Sequence, residues 1–280
     1  ASSADFAPNI KKFVDKGCDL IVGVGFAISA EIVKSAKANP KIKYAVVDDA
    51  GEDCDANFNC KPVANVKGLT FQTDEAAFMA GYLAAGVSKT GKVATYGGAP
   101  YPTVTIFMDG YARGVDYYNK QKGKSVKVLG WDPANPKSGT FVGNFSDQTK
   151  ALTISKGFEQ QGADVILPVG GNLGAPYAAE SEKSKKSLTI WVDSDGFVQA
   201  PQFASVLLTS VVKGVGTSVT AAIQSVIDGN FSATNYLGTL ENQGTFLAPY
   251  HDLESTVDAA LAAEVEQLGA DITAGTVAVS

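Results

Sequence analysis

The chain has 280 residues, 45 % hydrophobic and 19 % charged, with a net charge of −6. That length suffices for two ordinary domains. An acidic chain without basic runs is a poor match for nucleic acid, and no apolar stretch reaches the ~18 residues needed to cross a bilayer. The single histidine, His251, leaves little material for zinc sites or for Ser-His and Cys-His catalysis. It follows Pro249-Tyr250 in a predicted loop and reads as a surface residue.

In chain order, strand-like runs alternate with amphipathic stretches of helical length. A strand at 19–25 (DLIVGVG) precedes a helix at 28–38, and strands at 43–48 (KYAVVD) and 66–71 (VKGLTF) precede a helix at 74–89. The pattern continues with a strand at 92–98, a helix at 105–120, a strand at 126–131 and a helix at 146–162. Strands at 164–171, 188–193 and 205–210 follow, with helices at 177–186 and 214–229 among them. Short, nearly all-apolar strands alternating with helices predict parallel sheets built from βαβ units. Cys18 opens the first run and reads as a small buried residue.

Residues 53–60, DCDANFNC, place Asp53, Asp55 and Asn57 at the first three ligand positions of a calcium loop. Such a loop then needs Gly and, at position twelve, Glu; this chain has Phe58 and Ala64 there. Cys54 and Cys60 are too far apart for a CxxC redox pair, and a short surface disulfide of an oxidising compartment is expected. Two free thiols in a cytosolic loop is the competing reading. Asn144 and Asn230 open Asn-Phe-Ser sequons, which matter only in a glycosylating pathway.

The chain repeats itself. FVDKGCDLIVGVG (13–25) aligns with FEQQGADVILPVG (158–170), and the same offset of 145 residues brings Val47-Asp48 onto Val192-Asp193. Two similar α/β lobes are expected. The second repeat has a strand–helix–strand at about 92–131 before its matching block. The first has no counterpart in this numbering, so the first lobe is expected to lack its opening strand, helix and strand.

Ligands of open parallel sheets bind beyond the carboxyl ends of the strands. GVGFAIS carries Gly23 and Gly25, but Ile28 breaks a GxGxxG dinucleotide fingerprint. PVGGNLGAP, with Gly171 and Asn172, lacks the Lys-Ser/Thr of a P-loop. The acidic residues Asp48, Asp74, Glu75, Asp193 and Asp195 are suited to accept hydrogen bonds from sugar hydroxyls or ring N–H groups, with helix capping the competing reading for Asp48 and Asp74. Lys213 directly follows a strand, and a solvated lysine is the plain alternative. Phe26, Tyr101 and Tyr177 stand where they could stack on a flat ligand or simply pack.

Six blocks resemble one family in order and spacing: CDLIVGVGFAISAEIVKSAKANPKIKYAVVDD, NVKGLTFQTDEAAFMAGYLAA, SKTGKVATYGG, GADVILPVGG, WVDSDG and TSVVKGVG. The chain is similar over residues 8 to about 250 to the basic membrane protein family, the substrate-binding lipoproteins of ABC transporters that include purine nucleoside receptors. The resemblance implies a two-lobed periplasmic-binding-protein-like type I fold, with lobes at 1–91 plus 201–236 and at 92–200 plus 237–280. It implies a non-enzymatic protein, without cofactor or metal, that captures a purine-type nucleoside between its lobes. The implied ligand set is Asp74 or Glu75, Tyr177 as stacking aromatic, Asp193 to Asp195 and Lys213, joined by the strand-end residues Gly25, Phe26, Gly171 and Asn172. An ABC permease is the implied partner of a monomer that binds no nucleic acid. The implied location is the periplasm or outer membrane face, with a lipid anchor on a segment outside this chain. The alternative is a ligand-sensing receptor domain of the same fold that takes a sugar or other small molecule. A transcription regulator would need a basic helix-turn-helix, and a dehydrogenase an intact phosphate loop. The family's opening D-x-G-x-x-D-x-S-F-N-like segment, which supplies one stacking Phe, has no match in this numbering. Alkylating the denatured but unreduced protein should label Cys18 alone, and mass spectrometry showing three labelled cysteines would refute the staple.

Overall fold

The computed structural model describes residues 3–55, 57 and 59–279. Phe58, used in the calcium-loop comparison, lies outside them. The chain divides into two compact units, residues 1–71 with 214–238 and residues 72–213 with 239–280.

The first unit holds a parallel sheet in the order β1 (Leu20–Gly23), β2 (Lys43–Val47), β5 (Val66–Phe71), β11 (Tyr236–Gly238). Consecutive residues of β2 point to opposite faces. Tyr44 and Val46 pack with Ile10 of α1 (Ser3–Asp15) and Ile32 and Ala36 of α2 (Ser29–Ala38). Ala45 and Val47 pack with Ala222 of α8 (Val215–Ile227). Both faces are covered, which is why the strand is apolar throughout rather than alternating.

Strands β3 (Glu52–Cys54) and β4 (Cys60–Pro62) pair antiparallel, with Cys54 opposite Cys60 and the two joined as a disulfide. Asp55 accepts hydrogen bonds from the amides of Asn57 and Asn59 and from the Asn59 side chain, which hold its carboxyl below its ordinary range. Among the described residues no His, Cys, Asp and Glu group is arranged to hold a metal. Cys18 is half-buried rather than buried, and its thiol is free.

The second unit is larger. Its six-stranded sheet runs β12 (Thr245–Leu247), β10 (Leu207–Lys213), β9 (Leu188–Asp193), β8 (Val165–Val169), β6 (Lys92–Gly97), β7 (Lys127–Leu129). All neighbours are parallel except β12, which is antiparallel to β10. One face buries Val165, Leu167 and Val169 under α3 (Thr73–Val87), α4 (Pro102–Lys122) and α9 (Ala259–Thr273). The other buries Ala94, Tyr96 and Ile166 with α5 (Gln148–Gln160) and α6 (Ala175–Ser184). Strand 205–210 of the sequence reading starts later, as β10, behind a 3-10 turn at Pro201–Val206.

The internal repeat is structural. Its offset carries β1 onto β8 and β2 onto β9. It also pairs two backbone exceptions, Asp48 (φ 67°) and Asp193 (φ 71°), each following or ending its strand in the left-handed region. Asp tolerates that region better than most residues because its short side chain bonds locally.

The division between units departs from the sequence reading of 1–91 plus 201–236 and 92–200 plus 237–280. Helix α3 belongs to the second unit because it packs on α4 at backbone contact. A Cβ on Gly81 would stand 2.0 Å from the Tyr111 carbonyl oxygen, and one on Gly114 would stand 1.9 Å from that of Phe78. Strand β10 belongs there too, hydrogen-bonded between β9 and β12. Gly114→Ala should therefore lower stability by about 1–3 kcal/mol through overpacking. Gly157→Ala, in α5 with open space around it, should raise stability by about 1 kcal/mol on helix propensity. Thermal melts of both variants would check this, and equal shifts would refute the tight crossing.

Candidate functional site

The carboxyl ends of the second unit's parallel strands form one edge, and polar and aromatic groups gather there. At the end of β10, the Lys213 side chain is only 6 % exposed, yet its ammonium lies 2.9 Å from the Asp193 carboxylate, which is 43 % exposed. The ammonium also stands over the Phe107 ring, 5.1 Å from its centroid, where the ring's negative face favours a cation. Strands β9 and β10 are in register at Val212 and Asp193, which brings the two residues to adjacent positions. The left-handed turn at Asp193 leaves one end of the pair sheltered and the other open.

Asp74 enters from the first turn of α3. Its Oδ1 is buried and has no hydrogen-bond partner, and so is Oγ1 of Thr73. Burial raises the Asp74 carboxyl above its ordinary range. Bonds from its own amide and that of Glu75, with the Arg113 charge, oppose the shift, and Asp109 adds to it. The Asp74 backbone lies against Gly110 of α4, where a Cβ would come within 2.4 Å of its carbonyl oxygen. Phe107 and Gly110 are one helical turn apart, so Asp74 and Lys213 converge on the same stretch of α4.

Strand β8 ends in Gly170 and a 3-10 turn, Gly171–Gly174. Gly171 has φ 55° and Asn172 is exposed. Strand β6 ends at Gly97-Gly98, beside a stacked pair of rings, Tyr101 and Phe145, with centroids 6.2 Å apart and planes at 19°. At the end of β7, the Trp131 indole N–H donates to Asp109 at 2.9 Å.

Other expected residues have different roles. Tyr177 is fully buried in the core under α6, and its hydroxyl donates to Ser187 at 2.7 Å, so it offers no ring face to a ligand. The Gly171–Gly174 turn leads straight into α6 and tucks the ring inward. Glu75 accepts from the Leu240 amide at 2.7 Å. Asp195 caps the short helix α7 (Gly196–Gln199) through the Phe197 amide and pairs with His251 at 2.8 Å. His251 is accordingly half-buried rather than a plain surface residue, with the Phe197 ring stacked on it at 4.0 Å. Gly25 (φ 93°) and Phe26 lie in the first unit, at the 3-10 turn Phe26–Ile28 after β1. Phe107 and Phe145 escaped the sequence reading. Phe107 sits mid-helix with no local signal, and Phe145 stands in the middle of a sequon.

Residues 1–239 match the profile of a family described as ABC transporter substrate-binding protein PnrA-like. A Borrelia garinii protein called basic membrane protein A1 is 32 % identical over 261 residues, which are 92 % of this chain and 67 % of that protein. A Lactococcus lactis protein called ABC transporter nucleoside-binding protein BmpA is 27 % identical over 286 residues, 97 % of this chain and 75 % of that one. Among solved structures, an ABC transporter solute-binding protein of Aeropyrum pernix superposes with a TM-score of 0.77 at 24 % identity, covering 99 % of this chain and 81 % of that one. The fold is the type I fold of periplasmic solute-binding proteins.

Because the Asp74 pKa is raised in the folded state, its charge costs stability at neutral pH. That cost fades as pH falls through the raised value toward the ordinary 3.8. Asp74→Asn should therefore raise the melting temperature at pH 7 and give no gain near pH 3. A pH-independent effect in melts across that range would contradict the assignment.

Proposed function

The chain belongs to the PnrA-like family of ABC transporter substrate-binding proteins, and on that premise we propose that it captures a purine-type nucleoside. The family consists of binding proteins, not enzymes; its members work outside the cytoplasm and serve a membrane permease with a small molecule. The observation that carries the nucleoside reading is the Lys213–Asp193 pair at the strand ends. A sheltered ammonium holds a carboxylate whose other acceptor sites remain open, an arrangement suited to paired hydroxyls or ring N–H groups. Asp74, with one unpartnered oxygen near the same stretch of α4, supplies a second acceptor. A nucleoside matches two acceptors and a cation without carrying net charge. The name of the Lactococcus lactis relative agrees with this ligand class.

In this reading the protein is a monomer without affinity for nucleic acid. It is lipid-anchored at the periplasmic or outer face of the cell membrane and passes its ligand to the permease. Titration calorimetry with guanosine, adenosine, inosine and ribose should show heat for at least one nucleoside. Lys213→Met should weaken that binding by about 10- to 100-fold, the worth of a charge-assisted hydrogen bond. Silence from all three nucleosides would refute the ligand class.

A further inference from the structure

We propose that His251, the only histidine of the chain, is a positioning residue of the ligand site. Through Asp195 it fixes the turn that aims the Asp193 carboxylate. The proposal rests on the nucleoside reading above and adds a residue that governs affinity without touching the ligand.

The turn after β9 cannot hold itself. The strand ends at Asp193, and the four residues of α7 begin at Gly196. So short a helix does not repay its own nucleation, and its place is decided by bonds to other elements. The Gly196 amide donates to Ser210 Oγ of β10 at 2.9 Å. The Trp191 indole N–H donates to Gln199 Oε1 at 3.1 Å, and the Ser194 hydroxyl donates to the same oxygen. Asp195 uses both oxygens: one accepts from the Phe197 amide at 3.0 Å, the other from His251 Nε2 at 2.8 Å. The other ties come from the turn itself or from β9 and β10. His251 comes from the 3-10 turn His251–Thr256, beyond β12.

The histidine holds its place at a cost. Its φ of 46° lies in the left-handed region, a conformation that a side-chain-bearing residue keeps only where its surroundings over-determine it. Here the Asp195 carboxylate takes the ring nitrogen, and the Phe197 ring stacks on the imidazole at 4.0 Å with planes at 12°. The two side chains of the ion pair are 24 % and 23 % exposed, so water competes weakly for them. Asp193 stands two residues before Asp195, with its own φ of 71°. Lys213 restrains its carboxylate from one side. The direction of the open side depends on how the chain leaves β9, and Asp195 is where that departure is fastened to the segment after β12. A hydrogen bond to a ligand hydroxyl tolerates only a few tenths of an ångström (about 2.5–3.0 Å for O–H···O), so loosening this fastening is felt at the acceptor.

The test is calorimetry with guanosine, adenosine and inosine on the wild-type chain and on His251→Gly, His251→Gln, Asp195→Ser and the double variant His251→Gly with Asp195→Ser. Melting curves confirm that each is folded. Glycine suits the left-handed backbone, so His251→Gly removes the side chain without adding strain. It should weaken binding of the preferred nucleoside about 10-fold, the low end of what a charge-assisted hydrogen bond contributes. His251→Gln, whose amide can still donate to Asp195, should recover most of the affinity. Serine keeps the helix cap but is too short to reach His251, so Asp195→Ser should reproduce the loss. The double variant should be no weaker than either single one, because both act through one contact. Wild-type affinity in His251→Gly, no recovery in His251→Gln, or losses that add in the double variant would overturn the positioning role and leave the nucleoside reading intact. A wild-type chain that binds none of the three nucleosides would overturn both.

Discussion

An ammonium group removed from water sets the terms for this site. Burying a lysine charge costs several kcal/mol unless a partner answers it, and Lys213 is nearly closed off from solvent. Among the groups that answer it are the Asp193 carboxylate at 2.9 Å and the face of Phe107. Each constrains a different layer of the unit. Asp193 must leave β9 in a left-handed conformation, in register with β10. Phe107 must be brought under the ammonium by α4, whose next turn, at Gly110, is cut down to backbone so that Asp74 can approach. The site is thus an edge of the sheet and one helix face organised around a single cation.

The four acidic residues of the second unit singled out in the sequence fall into two groups on this account. Asp195 has both oxygens engaged by the protein itself, through Phe197 and His251, and Glu75 has one engaged, through Leu240. Asp74 and Asp193 retain acceptor capacity, one in a buried unpartnered oxygen and one in an open carboxylate. In the sequence these four carboxylates, together with Asp48, all stand as candidate acceptors. What separates them is hydrogen bonding to residues as far as 165 positions away.

Periodicity and repetition carried much of the architecture in the sequence. Apolar β2 and β8 announced strands buried on both faces, and the 145-residue offset anticipated that β1 and β2 would match β8 and β9, down to the paired left-handed aspartates. Lys213 was legible as the residue ending a strand. Less legible was anything decided by close packing. The family resemblance implies Tyr177 as a stacking aromatic, whereas the GGNLG segment coils into a 3-10 turn and the ring lies in the core. The placement of α3 was hidden because Gly81 and Gly114 show their purpose only when α4 is set against them.

The order in which the sheets are threaded has a consequence for biogenesis. Strand β11 closes the first unit's sheet against β5, pairing Tyr236 with Leu69, and β12 borders β10 in the second. A chain that emerges amino terminus first, from a ribosome or through a secretion pore, therefore holds both sheets unfinished until residues 236–247 are free. Until then the edges of β5 and β10 present unpaired backbone to whatever is near. A protein threaded this way carries two unfinished sheet edges through the whole of its passage, and sealing them is the last step of its folding.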